Sequence, residues 1–280
     1  MISPRAIAII MPDGRIQEPR MTTPRIMFNM TLEEIREGMK EMSTVILPIG
    51  CTEQHGYHLP ISTDILTAVE IAARTSDLCG CFVAPPINYS YSGGLLSGTI
   101  NISPQLCGML VKEICGSLVL MGFRNVIVLL GHGGSENTAA VKEAIEDFLR
   151  DPRIEGVRVL LVPFWELSPS YMKAFEEQDY HAGKYETSMM LYWRPEMVHL
   201  ERARLDSQED LDAHRAEQEA AAERWKNDVR FSVHVSKWGK RIKVGVWGHL
   251  DGISADLGRA IADESSQELA RIIREMEENK

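Results

Sequence analysis

Thr44-Val45-Ile46-Leu47-Pro48-Ile49 runs straight into Gly50-Cys51-Thr52-Glu53-Gln54-His55-Gly56-Tyr57-His58. Six residues, four of them β-branched, with no polar alternation have the pattern of a strand buried on both faces. The loop behind them is dense in carboxylate and imidazole. The same succession returns at Asn125-Val126-Ile127-Val128-Leu129-Leu130, followed by Gly131-His132-Gly133-Gly134-Ser135-Glu136. Further strands are predicted near 81–84 and over 157–163, with helices near 65–77, 104–122, 136–149 and 256–278. Strands alternating with helices predict an α/β fold with a mostly parallel central sheet. In such sheets the loops that leave the strands gather at one edge, where sites are usually found.

Outward from this core the pattern is simpler. Residues 1–30 read as an extended arm or edge strand, broken by prolines at 4, 12, 19 and 24. Thr31-Leu32-Glu33-Glu34 is a capping box that opens a helix to about Met42. Residues 206–228 are polar and read as an exposed helix, and 229–247 as a β-hairpin, so 206–246 is a helix-hairpin insertion in one domain spanning 1–280. The chain carries 30 Lys+Arg against 40 Asp+Glu, net −10, which argues against nucleic acid and membrane surfaces as partners. No uninterrupted apolar run approaches the ~20 residues of a membrane span, and the stretch 6–11 is too short for a signal peptide. Five scattered cysteines point to reduced thiols in a cytoplasm.

Three clusters offer chemistry. Glu53 and His55 stand two apart after a buried strand, with Asp64 at the start of the next helix. Two carboxylates and an imidazole suit Zn, Mn or Fe, although a polar surface loop would share the spacing. His132 lies in a glycine-rich turn that lacks the lysine of a phosphate loop. His181 and Glu186 flank a loop-to-helix transition, where an acidic residue would also suit the helix dipole. Together they supply the parts of a two-metal hydrolase: a bridging carboxylate, ligands for each ion and a histidine for proton transfer. Cys79-Gly80-Cys81 reads as a packed pair, and His199, His214 and His234 have no motif around them. His58 and His249 are candidates for contact with substrate.

The stretch Leu47–Pro60 with Thr63-Asp64 resembles the first signature of the creatininase (creatinine amidohydrolase) family, where serine is commoner than Cys51. Ser97-Gly98-Thr99-Ile100, Gly131-His132-Gly133-Gly134 and His181-Ala182-Gly183 with Glu186-Thr187-Ser188 resemble its other segments in order and spacing. The resemblance implies a three-layer α/β/α sandwich with two divalent ions, Zn, Mn or Fe. It places Glu53 and His132 on one ion, His55 on the other, Asp64 between them, and His181 as the catalytic histidine. A further carboxylate, two positions after the loop histidine in creatinine-hydrolysing members, would fall on Gly134; Glu186 is the chosen replacement and Glu136 its rival. Trp165 matches a tryptophan that lines the pocket, and a homo-oligomer, a hexamer, is the family expectation.

Departures bear on the substrate. The second tryptophan and the glutamate before the catalytic histidine are replaced by Gln178-Asp179-Tyr180, so creatinine itself is not expected. The leading reading is hydrolysis of a ring amide in a small polar cyclic substrate. The alternative is C–C ring opening of a cyclic polyol ketone of inosose type, which these polar residues mildly favour. Deformylase and peptidase branches stay open, and a non-catalytic binding protein is the reading of another class.

Overall fold

A computed structural model of the chain describes residues 9–10, 16–17, 23–223 and 241–279. In chain order its elements begin with β1 (Ile9–Ile10), β2 (Ile16–Gln17), β3 (Arg25–Ile26), α1 (Leu32–Gly38), β4 (Thr44–Ile49), α2 (Thr63–Cys79) and β5 (Phe82–Val83). There follow α3 (Pro104–Met121), β6 (Asn125–Leu130), α4 (Ser135–Phe148), β7 (Arg158–Pro163), α5 (Pro169–Glu176), α6 (Lys184–Trp193), α7 (Gln208–Ala222) and α8 (Ala255–Glu278). The central sheet has five strands in the order β3-β5-β4-β6-β7, and every pair is parallel.

Both faces of that sheet are covered. Val45, Leu47 and Ile49 of β4 join Val126, Val128 and Leu130 of β6 in a core under α3 and α4. Ile46, Ile127 and Leu129 face the other way, into a core built with α2, α5, α6 and α8. Strands enclosed on both sides need apolar residues at every position, which is why the two strand sequences lack alternation. The outcome is the α/β/α sandwich implied by the family resemblance.

Some expectations are corrected. The N-terminal arm is not uniformly extended: β1 and β2 form a small antiparallel pair, and the edge strand is β3. The capping box at Thr31 is present, but α1 ends at Gly38 rather than near Met42. Most of the hairpin expected over 229–247 lies outside the described residues, and the described part, 241–247, is irregular. The helix α3 has the length and composition of a membrane-crossing segment, contrary to the sequence reading. It lies instead on the sheet with Cys107, Val111 and Cys115 in the core, leaving Met109 and Leu120 exposed.

The strand order reverses its sense of growth at β4: β5 is added on one side, then the chain crosses back to add β6 on the other. At such a switch point the two loops leaving adjacent strands diverge and open a crevice. Residues 50–58 leave β4 there and residues 131–134 leave β6.

Candidate metal centre

Two glycines allow the crevice to be narrow. A Cβ on Gly50 would collide with the backbone of Ile65, and one on Gly131 with the carbonyl oxygen of Asp64. Because neither residue has a Cβ, the first turn of α2 presses onto the ends of β4 and β6 and delivers Asp64 between their loops. The third contribution comes from the turn before α6. There Ala182 adopts φ +54°, a left-handed conformation unusual for a residue with a side chain. Its N–H donates to Glu186 Oε2 at 2.6 Å, which holds that carboxylate over the crevice.

The side chains that meet form two triads sharing one member. His55 Nε2 lies 3.2 Å from Asp64 Oδ1 and 3.6 Å from Glu186 Oε2. His132 Nδ1 lies 3.1 Å from Asp64 Oδ2 and 3.3 Å from Glu53 Oε2. Donors held at ~2.0–2.2 Å on one tetrahedral cation are separated by roughly 3.3 Å from each other, which these distances match. The Nδ1–H of His55 donates to the carbonyl oxygen of Glu53 at 3.0 Å, so Nε2 is the atom presented to the carboxylates. Glu53 Oε2, His55 Nε2, Asp64 Oδ2 and His132 Nε2 are buried without a well-formed hydrogen bond. Buried polar atoms left without partners are costly. Three buried carboxylates converging on two imidazoles call for positive charge, and a pair of divalent cations fits that need.

The electrostatics agree. Burial alone would lower His55, but Asp64 and Glu186 raise it to about 10. His132 is likewise lifted to about 9 against the effect of burial, chiefly by Asp64. Burial would raise Asp64, yet the two imidazoles hold it below the ordinary carboxylate range. Glu53 is pushed up to about 7 by burial, partly offset by His132. Without cations, protons on His55 and His132 supply the positive charge the carboxylates demand. His181 differs: burial and then the charge of His55 push it down to about 4. Its ring centroid stands 4.2 Å from that of His55, and its Nε2 lies 2.9 Å from the carbonyl oxygen of Gln54. A carbonyl can only accept, so Nε2 carries the proton and Nδ1 keeps a free lone pair. Cys51 is close enough to Glu53 and Asp64 to complete a third donor group. Burial pushes its thiol up to about 12, so it stays protonated and is a poor ligand.

Glu53, Asp64, His132, His181 and Glu186 line a cavity of about 1140 Å³, with His55 and Cys51 buried behind them. A family model described as Creatininase (creatinine amidohydrolase) matches residues 28–273. The chain belongs to the creatininase family of hydrolases. It is 28% identical over 176 residues to the creatinine amidohydrolase of Pseudomonas putida, covering 56% of this chain and 67% of that one. It is also 28% identical over 180 residues to a 3-dehydro-scyllo-inosose hydrolase of Thermotoga maritima (61% of this chain, 57% of that one). A mycofactocin precursor peptide peptidase of Mycobacterium ulcerans is 36% identical over 166 residues (55% and 60%). The chain thus spans less than two thirds of the length of these last two relatives. A crystal structure of creatinine amidohydrolase superimposes with a TM-score of 0.72 at 23% identity, covering 91% of this chain and 98% of that one. Similar structures include a manganese and a zinc–zinc form of creatininase.

At Gly134 a Cβ would collide with His132 Nε2, so no carboxylate side chain is carried there. Glu186 is the carboxylate that reaches the cluster. Glu136 does not: it is exposed in the first turn of α4 and accepts from the Ser135 hydroxyl at 2.8 Å. His58, a candidate to touch substrate or to support the site from behind, is buried with its Nε2 3.1 Å from Thr187 Oγ1. Trp165 and Tyr180 line the cavity. Asp179 lines it too, but its carboxylate is tied to the N–H groups of Lys184 (2.8 Å) and His249 (3.0 Å). His249 sits beside it, with Nε2 on the carbonyl of Glu177. Two residues that sequence reasoning missed, His214 and Trp247, also line the cavity. Neither stands in a motif, and only folding of the insertion brings them there.

Proposed function

We propose that the chain is a dinuclear metal-dependent hydrolase of a cyclic or peptide-like amide. Glu53, Asp64 and His132 would hold one divalent ion, and His55, Asp64 and Glu186 the other. The carrying observation is the pair of triads that share Asp64, with imidazole-to-carboxylate separations of 3.1–3.6 Å. Bound there, zinc or manganese supplies Lewis acidity, which lowers the pKa of water and polarises a carbonyl. His181 is neutral at physiological pH, so its Nδ1 takes a proton from the attacking water and passes it to the leaving nitrogen. Glu186 Oε2, the oxygen that lies nearest His55, also accepts the Ala182 N–H, so one carboxylate would link the ion site to the turn that carries the proton-transfer group.

The amide reading leads over ring opening of a cyclic polyol ketone. The polyol reading leaned on Gln178, Asp179 and Tyr180. Asp179 accepts two backbone N–H groups, and Gln178 is not among the described residues lining the cavity. A single domain is supported by the family match over residues 28–273 and by the one five-stranded sheet. A homo-oligomer is supported by the exposed apolar side chains of α3, with Leu120 at 90% exposure. A reducing, cytoplasmic compartment is supported by five free cysteines, four of them buried. The test is metal analysis of purified protein, followed by hydrolysis assays of cyclic amides, formyl peptides and inososes with zinc- or manganese-loaded enzyme. Turnover of amides with two ions per chain is the expected result. Turnover of inososes alone transfers the assignment to C–C cleavage, and activity after complete metal removal refutes the mechanism.

A further inference from the structure

The insertion that begins at Asp206 ends where it began. The buried Asp206 carboxylate accepts the N–H groups of Lys243 (2.8 Å), Val244 (3.0 Å) and Gly245 (2.7 Å). Three successive backbone donors on one carboxylate make charge-assisted bonds, which are stronger than neutral ones. They fix an irregular segment that has no helix or strand of its own to hold it. Two residues further on, Trp247 pairs with the catalytic turn: its N–H donates to His181 O at 2.9 Å, and its carbonyl accepts from Tyr180 and His181 at 2.7 and 3.2 Å. Asp179 then grips the N–H of His249. Two carboxylates and an antiparallel bridge therefore set one side chain against the site.

That side chain is an indole, 42% exposed, lining the same cavity as the metal cluster. Buried His214 of α7 meets its edge, with ring centroids 6.0 Å apart. Trp165 borders the cavity on the other loop, close to Gly133. Phe175 and Tyr180, 6.1 Å apart, extend the aromatic lining. At about 1140 Å³ the cavity exceeds the ~300–1000 Å³ of ordinary small-molecule pockets, so a lone small ring at the metal end would leave this aromatic part unfilled.

We infer that Trp247 is a specificity-determining residue whose ring receives a planar aromatic group carried next to the scissile amide, and that Asp206 is the positioning residue that sets it there. The inference rests on the amide reading of the metal centre. It makes the insertion the source of substrate choice, separate from the strand-end loops that carry the chemistry.

The experiment uses the full chain loaded with zinc and two probes, hydantoin and 5-benzylhydantoin, with binding followed by calorimetry. Wild type is expected to bind the benzyl probe at least tenfold tighter than hydantoin. Trp247→Ala loses that preference, and Trp247→Phe, which keeps an aromatic ring, retains part of it. Asp206→Ala loses it as well, while Asp206→Asn, which keeps one acceptor oxygen, recovers some. All four variants are expected to hold as much zinc as wild type, which shows that they remain folded around the cluster. Equal affinity of wild type for both probes, including no binding of either, overturns the inference, as does an undiminished preference in Trp247→Ala. Failure of the amide reading looks different: the aromatic preference survives in wild type and no amide is hydrolysed.

Discussion

Asp64 is the only side chain in both triads, which makes Asp64→Ala the most informative perturbation. One oxygen faces His55 at 3.2 Å and the other faces His132 at 3.1 Å. Removing it takes one of three protein donors from each cation at once. Altering a residue that merely supports a metal ligand costs about 10–100-fold in affinity. Loss of a direct donor should therefore cost each ion at least ~100-fold, or about 2.7 kcal/mol. The same substitution also removes an acidic residue from the first turn of α2, a helix-dipole contribution of about 0.3–1 kcal/mol. Set against a typical stability of ~5–15 kcal/mol, that loss leaves a folded protein on which metal binding can be read. The assay is metal content by mass spectrometry after dialysis against buffered zinc, supported by calorimetric titration. Wild type should hold two ions per chain and Asp64→Ala neither, whereas Glu53→Ala should lose only the ion beside His132. Glu136→Ala, altering an exposed residue outside the cluster, is the control with full occupancy. Retention of one tight ion in Asp64→Ala, or loss of both in Glu53→Ala, would refute the shared-carboxylate arrangement.

Three further outcomes are expected. His181→Ala should keep both ions and lose about 10²–10⁴-fold in turnover, because it removes proton transfer and no metal donor; unchanged turnover removes His181 from that role. Zinc binding should release protons and tighten as the pH rises from about 6 to 8, since a cation needs a neutral imidazole. The metal-free pKa values of His55 and His132, about 10 and about 9, leave both protonated there. Identical calorimetric enthalpies in buffers of different ionisation enthalpy would disprove this. Gly131→Ala places a Cβ against the carbonyl of Asp64. Overpacking of this kind costs about 1–3 kcal/mol, so Tm should fall by at least ~2 °C, and an unchanged Tm would show that α2 can retreat.

Much of the site was legible before folding because its residues sit next to strands whose sequences announce themselves. Glu53, His55 and His132 each lie within a few positions of an apolar run, and such loops have only one edge of the sheet to occupy. The choice between Glu186 and Glu136 was not legible. Both follow a glycine-containing turn at a helix start, and a helix turn can aim either carboxylate inward or outward. The Ala182 turn aims Glu186 inward, whereas the first turn of α4 leaves Glu136 in solvent. The role of Asp179 within Gln178-Asp179-Tyr180 was not legible for a related reason. A buried carboxylate beside a site can serve the substrate or the backbone, and Asp179 serves the backbone.

From its letters alone this chain declares a parallel sheet, the loops that must meet at its edge and the kind of atoms those loops carry, because hydrophobic periodicity and local chemistry are properties of neighbouring residues. Tertiary structure alone decides which carboxylate closes the second triad, and that Asp206 reaches 243–245 to set Trp247 beside His181. Those pairings bring together residues dozens of positions apart through a few hydrogen bonds and close contacts. No local pattern encodes where such partners will stand until the helices have packed.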